Sequence, residues 1–527
     1  MKTIPLAGIM RFFLFGREVA RGPGAALNAA GWFLLVLAVL MFSTGCSKSN
    51  SAGSPAPSPT LTVSLARDPA TTPYNVIVTA TLRASNGTPA PGLIVTVSAT
   101  DGSVGPVTDH GDGTYSATIT PTYPSGEVAI TVQSTIGGTA LQQKRTALIL
   151  PTVDANWGQP EAVRGAVNTT GYEDGPNISP DGQWLVVTDT SPIDVICCLT
   201  GCGVPVNGHS SFCQTVTGPN SYGPPLRPNF PGAWRIVDST HVLNTCPKLC
   251  LTSDFTATGG EVTSPSSAAF PPVASYLFKR QSDGSFGDPQ FIGYDSDGCN
   301  PPTGISFDGT PSSTTANLVF DWSDPTVTTH SQIYWSQVTL GVTNVLGTCQ
   351  CTGTGIVSVN NTATALGLIY AQTNSNPSFR GGVLAWDDEQ ASPNVMYFAV
   401  AAGTLPTATF TPNAGPFPKV AVGNYLAEDH SQPFFQTSTS TLFFRKGLVG
   451  IFSSLLAPMG DPSVAGAWGP EIPVMVPEAS PTRTGAINAV GQGTIATLPT
   501  GKDEMYFVYV MITATGTNAN IGVIPRL

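Results

Sequence analysis

Glu173-Asp174-Gly175-Pro176-Asn177-Ile178-Ser179-Pro180-Asp181-Gly182-Gln183-Trp184-Leu185-Val186-Val187 is the stretch whose reading decides the fold. Ser179-Pro180-Asp181-Gly182 has the composition of a tight turn, with the apolar run Leu185-Val186-Val187 beyond it. Pro, Asp and Gly supply the backbone geometry such a turn needs. Ahead of it stands Trp157-Gly158-Gln159-Pro160, followed by the short apolar run EAVRG. The same pair of signals returns along the chain. Phe286-Gly287-Asp288-Pro289, Pro416-Phe417-Pro418-Lys419 and Trp468-Gly469-Pro470 open onto QFIG, VAVG and EIPVM. The Glu-Asp signal returns as Glu428-Asp429-His430-Ser431-Gln432-Pro433-Phe434-Phe435, then Thr441-Leu442-Phe443-Phe444. Degenerate copies are Asn300-Pro301-Pro302 with Asn317-Leu318-Val319-Phe320, and Asn376-Pro377-Ser378-Phe379 with Gly382-Val383-Leu384-Ala385-Trp386. Two more lie at Ala233-Trp234-Arg235-Ile236-Val237 and at Ala486-Ile487-Asn488 with Met505-Tyr506-Phe507-Val508-Tyr509. These anchors give roughly 60 residues per unit, a little above the spacing usual for propeller repeats. No unit of three or four short strands buries both faces alone, and radial stacking hides faces and edges together.

The Pro-x-Ile-Ser-Pro-Asp-Gly-x-x-Leu pattern of 176–185 resembles the WD-like repeat of TolB-type β-propellers, and Trp157-Gly158-Gln159-Pro160 resembles that family's link between blades. The resemblance implies a β-propeller of about six blades over 152–527, with five, seven or eight left open by the spacing, and a Cys-rich insertion near 190–250.

Upstream, residues 61–151 alternate with period two: LTVSLA (61–66), NVIVTATLRA (75–84), LIVTVSAT (93–100), TYSATITP (114–121), EVAITVQS (127–134) and KRTALILP (144–151). Turn pairs such as Asn86-Gly87 and Asp112-Gly113 separate them. Short alternating strands at this spacing predict a β-sandwich. Asp112-Gly113-Thr114-Tyr115-Ser116-Ala117-Thr118-Ile119-Thr120-Pro121 and Gly92-Leu93-Ile94-Val95-Thr96-Val97-Ser98 resemble the bacterial Ig-like domains of invasin and intimin type. The expected fold class is therefore all-β: an Ig-like β-sandwich followed by a β-propeller.

Composition agrees. Charged residues are 10% of the 527, against 56 Gly and 47 Pro, and the formal net charge is -11. No basic stripe is present, which argues against a nucleic-acid partner. The N-terminus reads as an export signal. Lys2, Arg11, Arg17 and Arg21 precede the apolar run Gly31–Phe42, shorter than the ~20 residues of a membrane span. Ser43-Thr44-Gly45-Cys46 resembles the lipobox of bacterial lipoproteins, departing at Ser43 where Leu is usual. The resemblance implies cleavage after residue 45, lipidation of Cys46 and a membrane-tethered protein of the cell envelope. An uncleaved anchor helix is the alternative, and Met10 is an alternative start. Ser47, where inner-membrane lipoproteins carry Asp, favours the outer membrane in a Gram-negative cell. Residues 46–60 read as a flexible Ser/Pro-rich tether.

Nine further cysteines remain: Cys197, Cys198, Cys202, Cys213, Cys246, Cys250, Cys299, Cys349 and Cys351. In an exported chain disulfides are the default, and the 197–250 spacings fit no zinc pattern. An odd count leaves at least one thiol outside intramolecular pairs.

No Gly-x-Ser-x-Gly elbow, phosphate loop or dinucleotide fingerprint occurs. The leading expectation is a non-catalytic platform for a protein or glycan ligand, with no resident metal or cofactor. The alternative is a glycan-directed hydrolase using carboxylates at the axial funnel, with Glu173, Asp174, Glu428 and Asp429 as candidates and Asp297 at an equivalent position. The plainer reading of the repeated Glu-Asp is structural, bonding backbone N–H groups. His430 beside that pair is a candidate ligand or pH-sensitive group, and Asp295-Ser296-Asp297-Gly298 a candidate Ca²⁺ loop too short for an EF-hand.

Overall fold

In the computed structural model the described residues are 57–68, 70–71, 74–169, 172–190, 273–294, 303–322, 332–341, 350–351, 355–356, 364–366, 375–388, 395–412, 430–447, 450–460, 467–513 and 517–527. Among them every extended regular element is a strand.

The sandwich comprises β1 (Thr60–Asp68), β2 (Asn75–Arg83), β3 (Val95–Ala99), β4 (Ser103–Val104), β5 (Thr108–Asp109), β6 (Thr114–Thr120), β7 (Gly126–Ile136) and β8 (Thr139–Ile149). One sheet runs β1-β2-β6-β4, with β5 also on β6, and β3-β7-β8 form the other. Alternation places Val76, Val78, Ala80 and Leu82 of β2 against Val128, Ile130 and Val132 of β7. Tyr115, second in β6, has its ring buried, and its hydroxyl donates to Ala90 O at 2.8 Å. The Asp112-Gly113 turn works as the sequence predicts: Gly113 has φ 82°, and Asp112 Oδ1 accepts from Thr114 N at 2.9 Å.

The remaining strands form sheets around a common axis. After β9 (Thr152–Val153) and β10 (Glu161–Ala162), the first sheet is β11 (Tyr172–Ile178), β12 (Trp184–Thr190), β13 (Val273–Arg280) and β14 (Phe286–Tyr294). The second is β15 (Thr303–Phe307), β16 (Thr315–Trp322) and β17 (Gln332–Thr339). The short β18 (Gln350–Cys351) and β19 (Gly355–Ile356) pair with each other, and β20 (Thr364–Ala365) completes the second sheet. The third is β21 (Ser375–Arg380), β22 (Val383–Asp388), β23 (Val395–Ala402) and β24 (Thr409–Pro412). The fourth is β25 (His430–Gln436), β26 (Thr441–Lys446), β27 (Gly450–Leu455) and β28 (Ile472–Val476), with β9 added at its edge. The fifth is β29 (Ile487–Thr497), β30 (Asp503–Ile512) and β31 (Thr517–Pro525), with β10 as its outer strand.

First strands pack in the order β11, β15, β21, β25, β29, and β29 packs against β11 again. The described sheets thus form a ring of five where the anchors predict about six. Five anchors fall on these sheets, and the sixth, 233–237, lies outside the described residues. The cysteine-bearing segment 191–272 joins Thr190 to Val273, which pair directly, so it is inserted between two adjacent strands of the first sheet.

Three apolar triplets explain the stacking. Leu318 and Phe320 of β16 pack with Val186 and Leu277 of the first sheet, while Val319 packs with Leu384 and Trp386 of the third. Ala385 packs with Leu442 and Phe444, while Phe443 packs with Ile495 and Phe507. Successive strand residues point to opposite faces, so an unbroken apolar run serves two neighbours. Each Leu or Phe so buried contributes about 1.5–3 kcal/mol.

The sandwich and the ring share a sheet. The order β29-β30-β31-β10-β8-β7-β3 is one seven-stranded sheet, in which Glu161 of β10 pairs with Val523 on one side and Ala147 on the other. Arg145 of β8 holds Glu161 bidentately at 2.6 and 2.8 Å, and Ser125 Oγ bonds Ile487 O and N at 3.0 and 2.9 Å. Such a joint predicts a single calorimetric unfolding transition for sandwich and ring. Arg145→Ala is expected to cost about 2 kcal/mol and to separate a second, lower transition.

Candidate functional site

The axial end of each sheet carries the same irregularity. Pairing of the first strand with the second skips two residues between Asp174 and Asn177, Thr303 and Ser306, Ser375 and Ser378, Ser431 and Phe434, and Gly491 and Thr494. The first skipped residue is left-handed in every sheet: Gly175 (φ 59°), Gly304 (53°), Asn376 (50°), Gln432 (54°) and Gln492 (52°). Gly and Asn suit that region, and Gln adopts it only under tertiary constraint. The second is Pro176, Ile305, Pro377, Pro433 or Gly493. Proline has no N–H to lose, so a bulge is where a strand tolerates it.

These bulges surround a small axial recess of about 40 Å³, partly open to solvent. That is well below the range usual for ligand sites. The packing is tight at Gly304, where a Cβ would sit 2.6 Å from Asn376 Cα and 2.7 Å from Asp321 Oδ1. Gly304→Ala is expected to destabilise by about 1–3 kcal/mol from overpacking alone, plus the cost of its φ, read as a lowered Tm.

Just beyond the bulges lie charged groups. Gly175 N donates to Asp174 Oδ1 at 2.8 Å and to Gln492 Oε1 at 2.6 Å, which ties the fifth sheet to the first. Burial pushes the Asp174 carboxyl above the ordinary carboxylate range, against the Gly175 N–H, the charge of Arg445 and the Gln492 side chain. Asp387, fully buried, accepts from Gln432 N at 2.6 Å and from Asn376 Nδ2 at 3.1 Å, fixing the bulges of the third and fourth sheets. Further along β21, Arg380 donates to Phe307 O at 2.7 Å and to Ile178 O, with its guanidinium 5.5 Å from the Phe434 ring centre. Burial lowers it to about 10, opposed by Asp308 and Asp181, and it is charged at neutral pH. Within the recess, Asn177 Oδ1 and Ser378 Oγ are buried without a hydrogen-bond partner.

Of the acids singled out in the sequence, Asp174 is not among the lining residues but accepts from the N–H of Gly175, which is. Glu173 does not line it: fully buried, it accepts from Thr169 N at 3.0 Å and from Thr169 Oγ1. Glu428, Asp429, Asp295 and Asp297 lie outside the described residues, as do Cys46 and all the disulfide candidates but Cys351, whose backbone is in β18. His430 belongs to a buried ionic cluster, with Nε2 2.7 Å from Glu471 Oε1 and Lys446 Nζ 2.6 Å from Glu471 Oε2. No group of three or more His, Cys, Asp or Glu among the described residues is arranged to hold a metal. Asp387, Arg380 and the bulges escape a reading of sequence. Their one signal is the recurrent x-Pro of Gly175-Pro176, Asn376-Pro377 and Gln432-Pro433 inside strand-like runs.

Residues 59–151 match the family model "Invasin, domain 3". Comparison with curated proteins gives no match. Among solved structures, an α-L-arabinofuranosidase from Lactobacillus brevis is 9% identical, with a TM-score of 0.33, covering 68% of this chain and 92% of its own. The adhesin InvE of Yersinia pseudotuberculosis is 15% identical with a TM-score of 0.15, covering 62% and 66%. The integrin-binding protein invasin is 15% identical with a TM-score of 0.14, covering 52% and 58%. Overlaps this low do not establish a common fold over the chain. What the comparisons establish is that the first domain is similar to the third domain of invasin.

Proposed function

We propose that this is an exported cell-envelope protein that binds a protein or glycan ligand, with the sandwich as spacer and the ring of sheets as the binding head. The observation that carries the reading is the shared seven-stranded sheet, which makes spacer and head one rigid piece. A rigid joint fixes the head relative to its spacer, which suits a surface binder carried on a flexible tether. The invasin-type match of the spacer supports the same use. In this reading residues 1–45 are a cleaved signal, Cys46 carries lipid, 46–60 form the tether, 61–151 the spacer and 152–527 a propeller-type head in the outer membrane's keeping. Most of the nine cysteines of 197–250, 299, 349 and 351 form disulfides, with at least one left outside intramolecular pairs. Growth with a labelled fatty acid tests the anchor: the label is expected on the protein and absent from Cys46→Ser. An array of glycans and peptidoglycan fragments, scored for retention and for product release, tests the head. Retention without product is the expected result.

One observation favours hydrolysis as a second reading. Asp174 keeps its proton above the usual carboxylate range, as a general acid must, and accepts from Gly175 N at the edge of the recess. In that case product release occurs on the array and Asp174→Asn abolishes it while retention persists. Absence of any product disposes of this reading.

A further inference from the structure

We infer that the axial recess is a site for one hard divalent cation, of the size and ligand preference of calcium. This goes beyond the ligand reading above and does not depend on it, and it departs from the sequence expectation of no resident metal.

Pairing register gathers negative charge around the recess. In each sheet the last pair before the bulge couples the first strand to the second: Asp174 to Thr188, Thr303 to Asp321, Ser375 to Asp387, Ser431 to Arg445 and Gly491 to Val508. Those five pairs hold three carboxylates and one guanidinium. Each carboxylate abuts a residue of the recess wall. Asp174 Oδ1 accepts from Gly175 N at 2.8 Å, and Asp387 Oδ2 from Gln432 N at 2.6 Å. Asp321 Oδ1 lies 2.7 Å from where a Cβ on Gly304 would stand. Asp387 is fully buried and Asp321 is 3% exposed, so water does little to screen them. Buried charge of one sign calls for a counter-charge.

The wall itself has spent its donors and kept its acceptors. Pro176, Pro377 and Pro433 carry carbonyls and no N–H. Gly175 N, Gln432 N and Asn376 Nδ2 already donate to Asp174 and Asp387. Asn177 Oδ1 and Ser378 Oγ are left over: both residues line the recess, are 6% and 4% exposed, and find no partner for these atoms in the protein. They lie on β11 and β21, with β15 between those strands in the ring.

Size and donor type select the ion. A recess of about 40 Å³ is a few water-sized positions, enough for roughly one ion and one or two of its waters. No His, Cys or Met lines it, so every donor is oxygen, which suits Ca²⁺ or Mg²⁺ and not the softer metals. Ca²⁺ accepts amide and carbonyl oxygens in irregular directions, whereas Mg²⁺ demands a near-ideal octahedron. No three acids, His or Cys among the described residues converge to hold a metal by themselves. The direct contacts therefore fall to neutral oxygens, with the carboxylates one residue behind them.

The test is calorimetric titration of the EDTA-treated full chain with CaCl₂ and MgCl₂ in potassium buffer, with Tm followed in parallel. One saturable Ca²⁺ site that raises Tm is expected, with Mg²⁺ at least ten-fold weaker. Asn177→Leu, Ser378→Ala and Asp321→Asn are each expected to weaken Ca²⁺ at least ten-fold and to abolish the rise in Tm. Ser378→Ala is small enough to keep the test open if the other two do not fold. Preference for Mg²⁺, or Ca²⁺ binding unchanged in the folded variants, overturns the inference. So does a Ca²⁺ site that is kept in Ser378→Ala and lost in Asp295→Asn with Asp297→Asn, which would place the ion in that loop. Absence of any saturable binding also overturns it and leaves the recess to ordered water.

Discussion

Glu471→Ala is expected to destabilise the protein by about 3–5 kcal/mol, the cost of breaking a buried ion pair by removing one partner. Glu471 is 3% exposed and sits between His430 Nε2 and Lys446 Nζ, themselves 4% and 1% exposed. Without the carboxylate, the Lys446 ammonium faces His430 in a space with no solvent to screen it. The aromatic neighbours do not compensate: Phe452 lies 5.5 Å from the ammonium and Phe444 5.2 Å from the imidazole. A cation–π contact is worth about 0.5–2 kcal/mol, less than the ion pair it would replace. Replacing both charges, as in Glu471→Leu with Lys446→Met, is expected to recover much of the loss, because the desolvation of two ions disappears with their attraction. Chemical denaturation of the three proteins measures this; equal loss in single and double variants would show that packing, not charge, is at stake.

The acid limb gives an independent check. Burial pushes the Glu471 carboxyl up, but the hydrogen bonds and charges of His430 and Lys446 outweigh it and leave the group below its usual 4.5. A carboxylate with a depressed folded value contributes stability that is full above the ordinary value and is lost as pH falls through the folded one. Wild-type stability should therefore fall more steeply than that of Glu471→Gln below about pH 4.5. Asp174 runs the opposite way: its value is raised, so its contribution is full at low pH and is lost as pH rises through the folded value.

Much of this architecture is legible in the sequence because it is local. The six alternating runs between 61 and 151 correspond to β1, β2, β3, β6, β7 and β8, and the two-residue strands β4 and β5 are too short to leave a periodic trace. The apolar triplets at 318–320, 384–386 and 442–444 announce strands buried on both faces. The site is harder, for three physical reasons. A left-handed φ at Gln432 and Gln492 follows from no preference of glutamine; it is imposed by bonds such as that of Gln432 N to Asp387, 45 positions away. Side-chain direction at a bulge loses its parity, so nothing in Glu173-Asp174 says that the first is held by Thr169 and the second by the N–H of Gly175. And β10, two residues long, joins spacer to head through partners at 147 and 523 that sequence proximity does not suggest.

Arg380 carries the same lesson and the second large prediction. In the sequence it ends a strand, where a charged residue ordinarily faces water. In the fold it is 9% exposed and bonded to carbonyls of β11 and β15, with its guanidinium beside Phe434 of β25. Together with its own strand that is four of the five axial strands held by one side chain. Arg380→Ala should leave the Phe307 and Ile178 carbonyls buried and unpaired and open a void beside Phe434. Two such losses with a cavity amount to about 3–5 kcal/mol. Arg380→Met fills most of the volume and escapes the desolvation that lowers the guanidinium to about 10, so it should cost less than alanine while still leaving both carbonyls unmet. Arg380→Lys keeps the charge but not the fork that reaches two strands at once. The order wild type, then Met and Lys, then Ala in thermal unfolding identifies Arg380 as the bolt of the axis. If alanine matched wild type, the ring would owe its closure to the apolar faces alone.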